Sequence, residues 1–219
     1  MADIFKEVDE DVRKERYLKL WRSYGRHGIA LAIAIVLAVA GVSGWREYQR
    51  VSLESEGEAF AIAEATAAAG RHADAALAFA EVGVDADGGY RALARLRQAA
   101  ELVAAGEVEF AIAVYDLVVA DTSVDPKLRD LASLLAVMHL MNTDASDPSD
   151  MATRLEPLTA DNGAWRYSAR ELEAVLKLKA NNFTAALAVF AALKDDVQAP
   201  PALRGRAAEL FAALGGVAE

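Results

Sequence analysis

Catalysis and metal binding both need a convergent set of nucleophiles, acid–base groups or ligands. The chain has 219 residues, three histidines and no cysteine. Without cysteine there are no disulfides, thiolate zinc sites or thiol nucleophiles. His27, His72 and His139 are scattered, and none has a companion at metal-ligand spacing. His27 flanks a long apolar run, His72 falls in an expected turn, and His139 lies on a mostly apolar segment, where it reads as a core or edge histidine. Asp9-Glu10-Asp11 and Asp195-Asp196 are short acidic runs that read as solvated surface. Gly88-Gly89 and Gly215-Gly216 are isolated pairs rather than a phosphate loop. Asn182-Phe183-Thr184 has the form of a glycosylation acceptor, but a turn explains it better. The chain is therefore read as non-enzymatic, with no cofactor, metal or small-molecule substrate.

What remains is recognition chemistry, for which Arg, Trp and Tyr are the favoured anchors. Two groups of residues qualify. Arg91, Arg95, Arg97 and Gln98 form one, and Trp165, Arg166, Tyr167 and Arg170 the other. Trp165 and Tyr167 equally suit a core position between structural units.

Charge narrows the partner class. The net charge is −10. Residues 1–27 hold seven Lys/Arg against six Asp/Glu, so the rest carries −11. Such a surface is a poor match for nucleic acid and is repelled by anionic lipid head groups.

The elements that must position these residues are helices. Alanine supplies 49 residues and proline only five. Alanine is the best helix former and poor in strands, and no sustained period-2 alternation occurs. Residues 28–44 read GIALAIAIVLAVAGVSG, with no charge. Trp21 and Tyr24 precede this run and Trp45 and Tyr48 follow it, the placement expected of residues at the two membrane interfaces. Tyr24 and Trp45 enclose 20 residues, about 30 Å of helix, which matches the hydrocarbon core. Arg13, Lys14, Arg16, Lys19, Arg22 and Arg26 crowd its N-terminal side, whereas only Arg46 and Arg50 closely follow it. The positive-inside rule then puts the N-terminus in the cytoplasm. Tyr17, Leu20, Trp21 and Tyr24 fall at amphipathic spacing, which fits a short interfacial helix or a plain extension of the anchor. Ala38-Val39-Ala40 fits a signal-peptidase site, so cleavage after Ala40 is the competing reading; the long, acid-containing n-region and the apolar run continuing to Trp45 oppose it.

Beyond the anchor the sequence repeats itself. Residues 70–79, 106–115 and 181–190 share a turn residue (Gly70, Gly106, Asn181), an alanine five positions on (Ala75, Ala111, Ala186) and an aromatic four further (Phe79, Tyr115, Phe190). A turn residue that tolerates the left-handed conformation ends one helix. The alanine lets the next helix close against it, and the aromatic fills the groove one turn later. This is the tetratricopeptide pattern, a helix hairpin of about 34 residues. Gly70 and Gly106 lie 36 residues apart but Gly106 and Asn181 lie 75 apart, close to two units, so a further, modified hairpin is expected with its turn near residue 143, between a helix over 131–141 and a segment resuming over 151–158. Residues 96–103 and 172–178 are expected to be first helices, 201–214 a capping helix. Prolines closing the units fit only approximately, at Pro126 and Pro200. The expected fold is all-α: one transmembrane helix followed by a tetratricopeptide-like α-solenoid of about four hairpins. The domains are a tail over 1–27, a transmembrane helix over 28–45 and a periplasmic repeat domain over 46–219.

This layout resembles the YfgM-like family, ancillary subunits of the SecYEG translocon. The resemblance rests on residues 5–25 (FKEVDEDVRKERYLKLWRSYG), the anchor, and the stretches 93–97, 164–167 running into Glu171-Leu172, and 203–210. It implies a single-pass protein of the bacterial inner membrane whose periplasmic domain binds the translocon and a membrane-anchored periplasmic chaperone during protein export. Related domains in cell-division and envelope-assembly scaffolds make that the alternative role.

Overall fold

The computed structural model describes the backbone over residues 3–85, 88–143 and 147–215, and side chains over 29–31, 33–84, 89–143 and 147–215. Trp21, Tyr24, His27 and the proposed interfacial helix before the anchor therefore lie outside the described side chains. Helix α1 runs Asp3–Ala68 and contains the whole apolar run. Two compact units divide at Ser55/Glu56, within this helix. In the first, Ile29, Leu31, Ile33, Ile35, Val36, Leu37, Val39 and Val42 are each more than half exposed. The segment is long and apolar enough to cross a membrane.

The second unit is built from α2 (His72–Asp85), α3 (Gly88–Ala104), α4 (Val108–Ala120), α5 (Pro126–Leu140), α6 (Pro148–Leu155), α7 (Arg166–Lys179), α8 (Phe183–Asp195) and α9 (Pro201–Ala213), together with residues 56–68 of α1. No strand occurs among the described residues. The helices pair as four hairpins, residues 56–68 with α2 through Phe60, Ala63, Ala75 and Phe79, then α3 with α4, α5 with α6 and α7 with α8, and α9 closes the stack.

The three expected turns have one geometry. Gly70, Gly106 and Asn181 have φ of 74°, 85° and 58°. At each, the turn residue's N–H bonds back to the third preceding carbonyl, as in Gly106 N to Val103 O at 3.0 Å. The next N–H reaches the fifth preceding carbonyl, as in Glu107 N to Leu102 O at 2.8 Å. This pair of bonds satisfies the orphan carbonyls of a helix end. Ala75, Ala111 and Ala186 follow with no exposed surface, and Phe79, Tyr115 and Phe190 are buried behind them.

The third hairpin turns differently. Helix α5 ends at Leu140, and α6 starts at Pro148 under an Asp147 cap whose carboxylate accepts Ser149 N–H at 2.8 Å. Helix α6 has eight residues, against 13 or 14 in α2, α4 and α8. A 3-10 turn, Glu156–Thr159, takes over where the sequence pattern continues a helix to 158. Pro157 explains this, because it has no N–H to give the Thr153 carbonyl that an α-helix would pair with it. Pro126 likewise opens α5, capped by Asp125, and Pro200-Pro201 opens α9. These prolines start helices as much as they close units, since a first-turn N–H has no helical partner to lose.

Four core clusters succeed one another along the stack. Phe60, Ala63, Phe79 and Ala94 belong to the first, Ala99, Ala111, Tyr115 and Ala136 to the second. Val137, Met151, Leu155 and Ala169 belong to the third, Ala174, Phe190, Leu193 and Leu203 to the fourth. Each joins one hairpin to the next first helix. That is how a solenoid buries a surface no single hairpin can cover.

Candidate protein-binding surface

Helix α3 carries Arg91, Arg95, Arg97 and Gln98 because its buried face is taken by small and aliphatic residues, Ala92, Ala94 and Ala99 among them. Arg91 and Arg95, one turn apart, converge on Asp121 at the end of α4, at 3.8 and 3.0 Å. Asp121 also accepts the hydroxyl and N–H of Ser123 at 2.6 and 3.1 Å. These Ser123 hydrogen bonds, with the two guanidinium charges, hold its carboxyl below the usual carboxylate range.

Arg97 forms a two-pronged pair with Glu64, at 2.6 and 2.9 Å, and its guanidinium lies 5.6 Å from the Phe79 ring centre. It also approaches Glu101 at 3.6 Å. Glu101 is only 6% exposed, and its other oxygen meets His72 Nδ1 at 2.7 Å. A buried carboxylate needs such partners. The network ties the second part of α1, α2 and α3 into one corner. His72, expected in a turn, is the first residue of α2. Gln98 is half-buried.

The second group sits at the start of α7. The Trp165 indole N–H donates to Lys127 O at 2.8 Å, and its ring packs on the third core cluster. Tyr167 is 9% exposed and belongs to the fourth. Arg166 stacks on the Tyr167 ring at 4.2 Å and donates to its hydroxyl at 2.9 Å. Arg170 donates to Thr159 O at 2.9 and 3.1 Å and to Asp161 at 2.5 Å, holding the 3-10 turn against α7. The structure thus brings Arg91 and Arg95 together, and Arg166 and Tyr167 together. The aromatic pair Trp165 and Tyr167 takes the core positions that the sequence also allowed.

Trp45 and Tyr48 are exposed on α1, with ring centres 6.2 Å apart. His139 lies half-buried and parallel to the Tyr115 ring, 6.0 Å between centres. Asn182 caps α8, its side-chain oxygen accepting Ala185 N–H at 3.2 Å. That gives the glycosylation-like triplet a structural reason.

Sequence reasoning missed the ion pairs that join successive units. Arg154 bonds Asp116 at 2.5 and 3.3 Å and Asp150 at 2.9 Å. Arg206 bonds Glu171 at 2.8 and 2.7 Å. The Asp150–Arg154 spacing of four was a visible signal; the other two partners are 38 and 35 residues away and leave none.

A stack of helix hairpins with successive shared cores defines an α-solenoid, a class whose members display extended surfaces to other proteins. More particularly, residues 19–149 match the tetratricopeptide repeat-like domain, well over half of the chain, and the protein belongs to that family. No curated protein and no solved structure matches the chain. The domain is a protein-interaction scaffold of a type that is typically non-enzymatic.

Proposed function

We propose that the chain is a non-enzymatic adaptor of a bacterial inner membrane, anchored by residues 28–45 with its N-terminus in the cytoplasm. Its repeat domain, over 46–219, binds the SecYEG translocon and a membrane-anchored chaperone in the periplasm. The observation that carries the reading is the run from Ile29 to Val42. Eight large aliphatic side chains there are more than half exposed. At ~1.5–3 kcal/mol for each fully exposed side chain removed from water, a bilayer would stabilise this partly exposed run by on the order of 10 kcal/mol. The family match supports it, because residues 19–149 take in both this run and the first repeats. The basic flank before residue 28 supports the direction. Arg91, Arg95, Arg97, Gln98, Trp165, Arg166, Tyr167 and Arg170 are proposed to serve the partner surface, Arg91, Arg95, Arg97 and Arg170 by exchanging internal carboxylates for a partner's.

Crosslinking in intact cells followed by mass spectrometry tests the partners. Crosslinks to the channel and to a periplasmic chaperone are expected. Crosslinks to division proteins instead, with mid-cell localisation, would overturn the reading in favour of a division or envelope scaffold. Protease added to spheroplasts should remove the repeat domain and leave a membrane-retained N-terminal fragment. A soluble product beginning at Gly41 would show cleavage after Ala40 and sink the anchor.

A further inference from the structure

A groove runs along α7, from the short third hairpin to the fourth. Helix α6 stops after eight residues, and Arg170 holds the 3-10 turn that follows it against α7. Two hollows result, of about 580 and 440 Å³, meeting at Thr159 and Glu173. Each is within the ~300–1,000 Å³ of ordinary ligand pockets, but both are open troughs rather than enclosed cavities. The first is floored by Ala152, Leu155, Leu176 and Ala180, between α6 and α7. The second is floored by Ala188, Val189 and Leu193, between α7 and α8.

The charges around the groove do not cancel. Lys177 is paired with Glu173 between the hollows. Arg170 is paired with Asp161. Glu156 lines the first hollow and Asp196 the second. Asp196 accepts the Gln198 N–H at 2.8 Å. Neither carboxylate meets a cation among the described residues. The groove thus has an apolar floor and, lining each hollow, one carboxylate that forms no ion pair among the described residues, with Arg170 of the second hollow committed to Asp161. That pattern repels anionic lipid and nucleic acid, and it complements a cationic segment.

We propose that this groove binds a short segment of a partner protein in which aliphatic side chains are flanked by lysine or arginine. The aliphatic groups sit in the two hollows, and the cations meet Glu156 and Asp196. The proposal rests on the reading of the domain as a protein-binding scaffold and adds where one partner segment docks and what its chemistry is.

The test uses the full chain in nanodiscs of zwitterionic lipid, with empty nanodiscs as the blank. Fluorescence polarisation follows the labelled peptide KLALKLALK against ELALELALE. The basic peptide should bind about tenfold or more tightly than the acidic one. The double variant Glu156→Lys/Asp196→Lys should lose about tenfold in affinity. Ala180→Trp, which fills the first hollow from an exposed position, should do the same. A remote charge reversal, Glu107→Lys/Glu109→Lys on the α4 side, should change binding by less than about twofold, which separates a local site from the chain's general acidity. Far-UV circular dichroism checks that each variant keeps its helices. A photoreactive group on the peptide should label α6, α7 or α8. Equal binding of the two peptides, wild-type binding by both groove variants, or labels confined to other helices would overturn the proposal. Each outcome is read on purified protein and is independent of whether the translocon is the cellular partner.

Discussion

Tyr115 and His139 show how a residue's surroundings set its chemistry. Tyr115 is 2% exposed, and the His139 ring lies parallel to it on α5. Burial pushes the His139 pKa below its ordinary value of 6.5. The folded chain therefore disfavours the imidazolium that the unfolded chain accepts, and between the two pKa values the unfolded state binds more protons. Stability from this site is present above about pH 6.5 and falls as the pH drops towards the lowered folded value. His139→Phe should remove that part of the acid sensitivity, seen as a flatter dependence of the urea midpoint on pH between 7 and 5. An unchanged slope would mean that the carboxylates alone set it. Ala111 makes a steric case at the same scale. It is fully buried beneath Tyr115, whereas Ala113, two residues on, is exposed. Ala111→Leu should cost ~1–3 kcal/mol by overpacking, and Ala113→Leu should stay within about 0.5 kcal/mol, both measured by chemical denaturation.

At the scale of elements, the hairpin turns carry the argument. A Cβ built on Gly106 meets nothing within 4 Å, so the φ of 85° is the whole objection to a side chain there. Gly106→Ala should destabilise by ~1–2 kcal/mol, while Asn181→Gly should be within a few tenths, since asparagine already occupies the same region at φ 58°. Equal losses from both would mean that the turns do not share one mechanism. Turns of this kind were legible because turn residue, alanine and aromatic lie within ten consecutive positions. The third hairpin was legible in its place but not in its form. Its described part holds the Asp147 cap and Pro148, none of its described residues has the positive φ of Gly70 or Gly106, and Pro157 cuts short the helix that follows. The candidate surface was less legible still. Which arginine is committed inside the fold depends on partners distant in sequence: Asp121 lies 26 residues from Arg95 and Glu64 lies 33 from Arg97. Lys127, whose carbonyl takes the Trp165 indole, lies 38 residues away. A pattern read over one helix contains none of these, and neither does it contain the groove left by a helix two turns long.

For the molecule as a whole, the succession of core clusters sets how the repeat domain comes apart. Contacts run from each helix to its neighbours in the stack, α3 with α2 and α4, α5 with α4 and α6, and α9 with α8. Stability then behaves as a sum of unit and interface terms, and damage stays near where it is made. Phe190 tests this well. It is fully buried at the centre of the last cluster, with Leu193, Leu203 and Ala207 around it. Phe190→Ala removes ~3–5 kcal/mol from that cluster. In one cooperative domain the loss would lower amide protection everywhere by the same amount. In a nearest-neighbour stack, α7, α8 and α9 should exchange faster while α3 and α4, held by the second cluster around Tyr115, keep their protection. Hydrogen exchange with mass spectrometry on the full chain reads both outcomes from one experiment. Uniform loss would show that the four hairpins fold as a single unit despite their serial cores. Graded loss would show that the acidic groove on α6 to α8 lies in the part of the stack that can loosen without releasing the Arg97 corner beside α1.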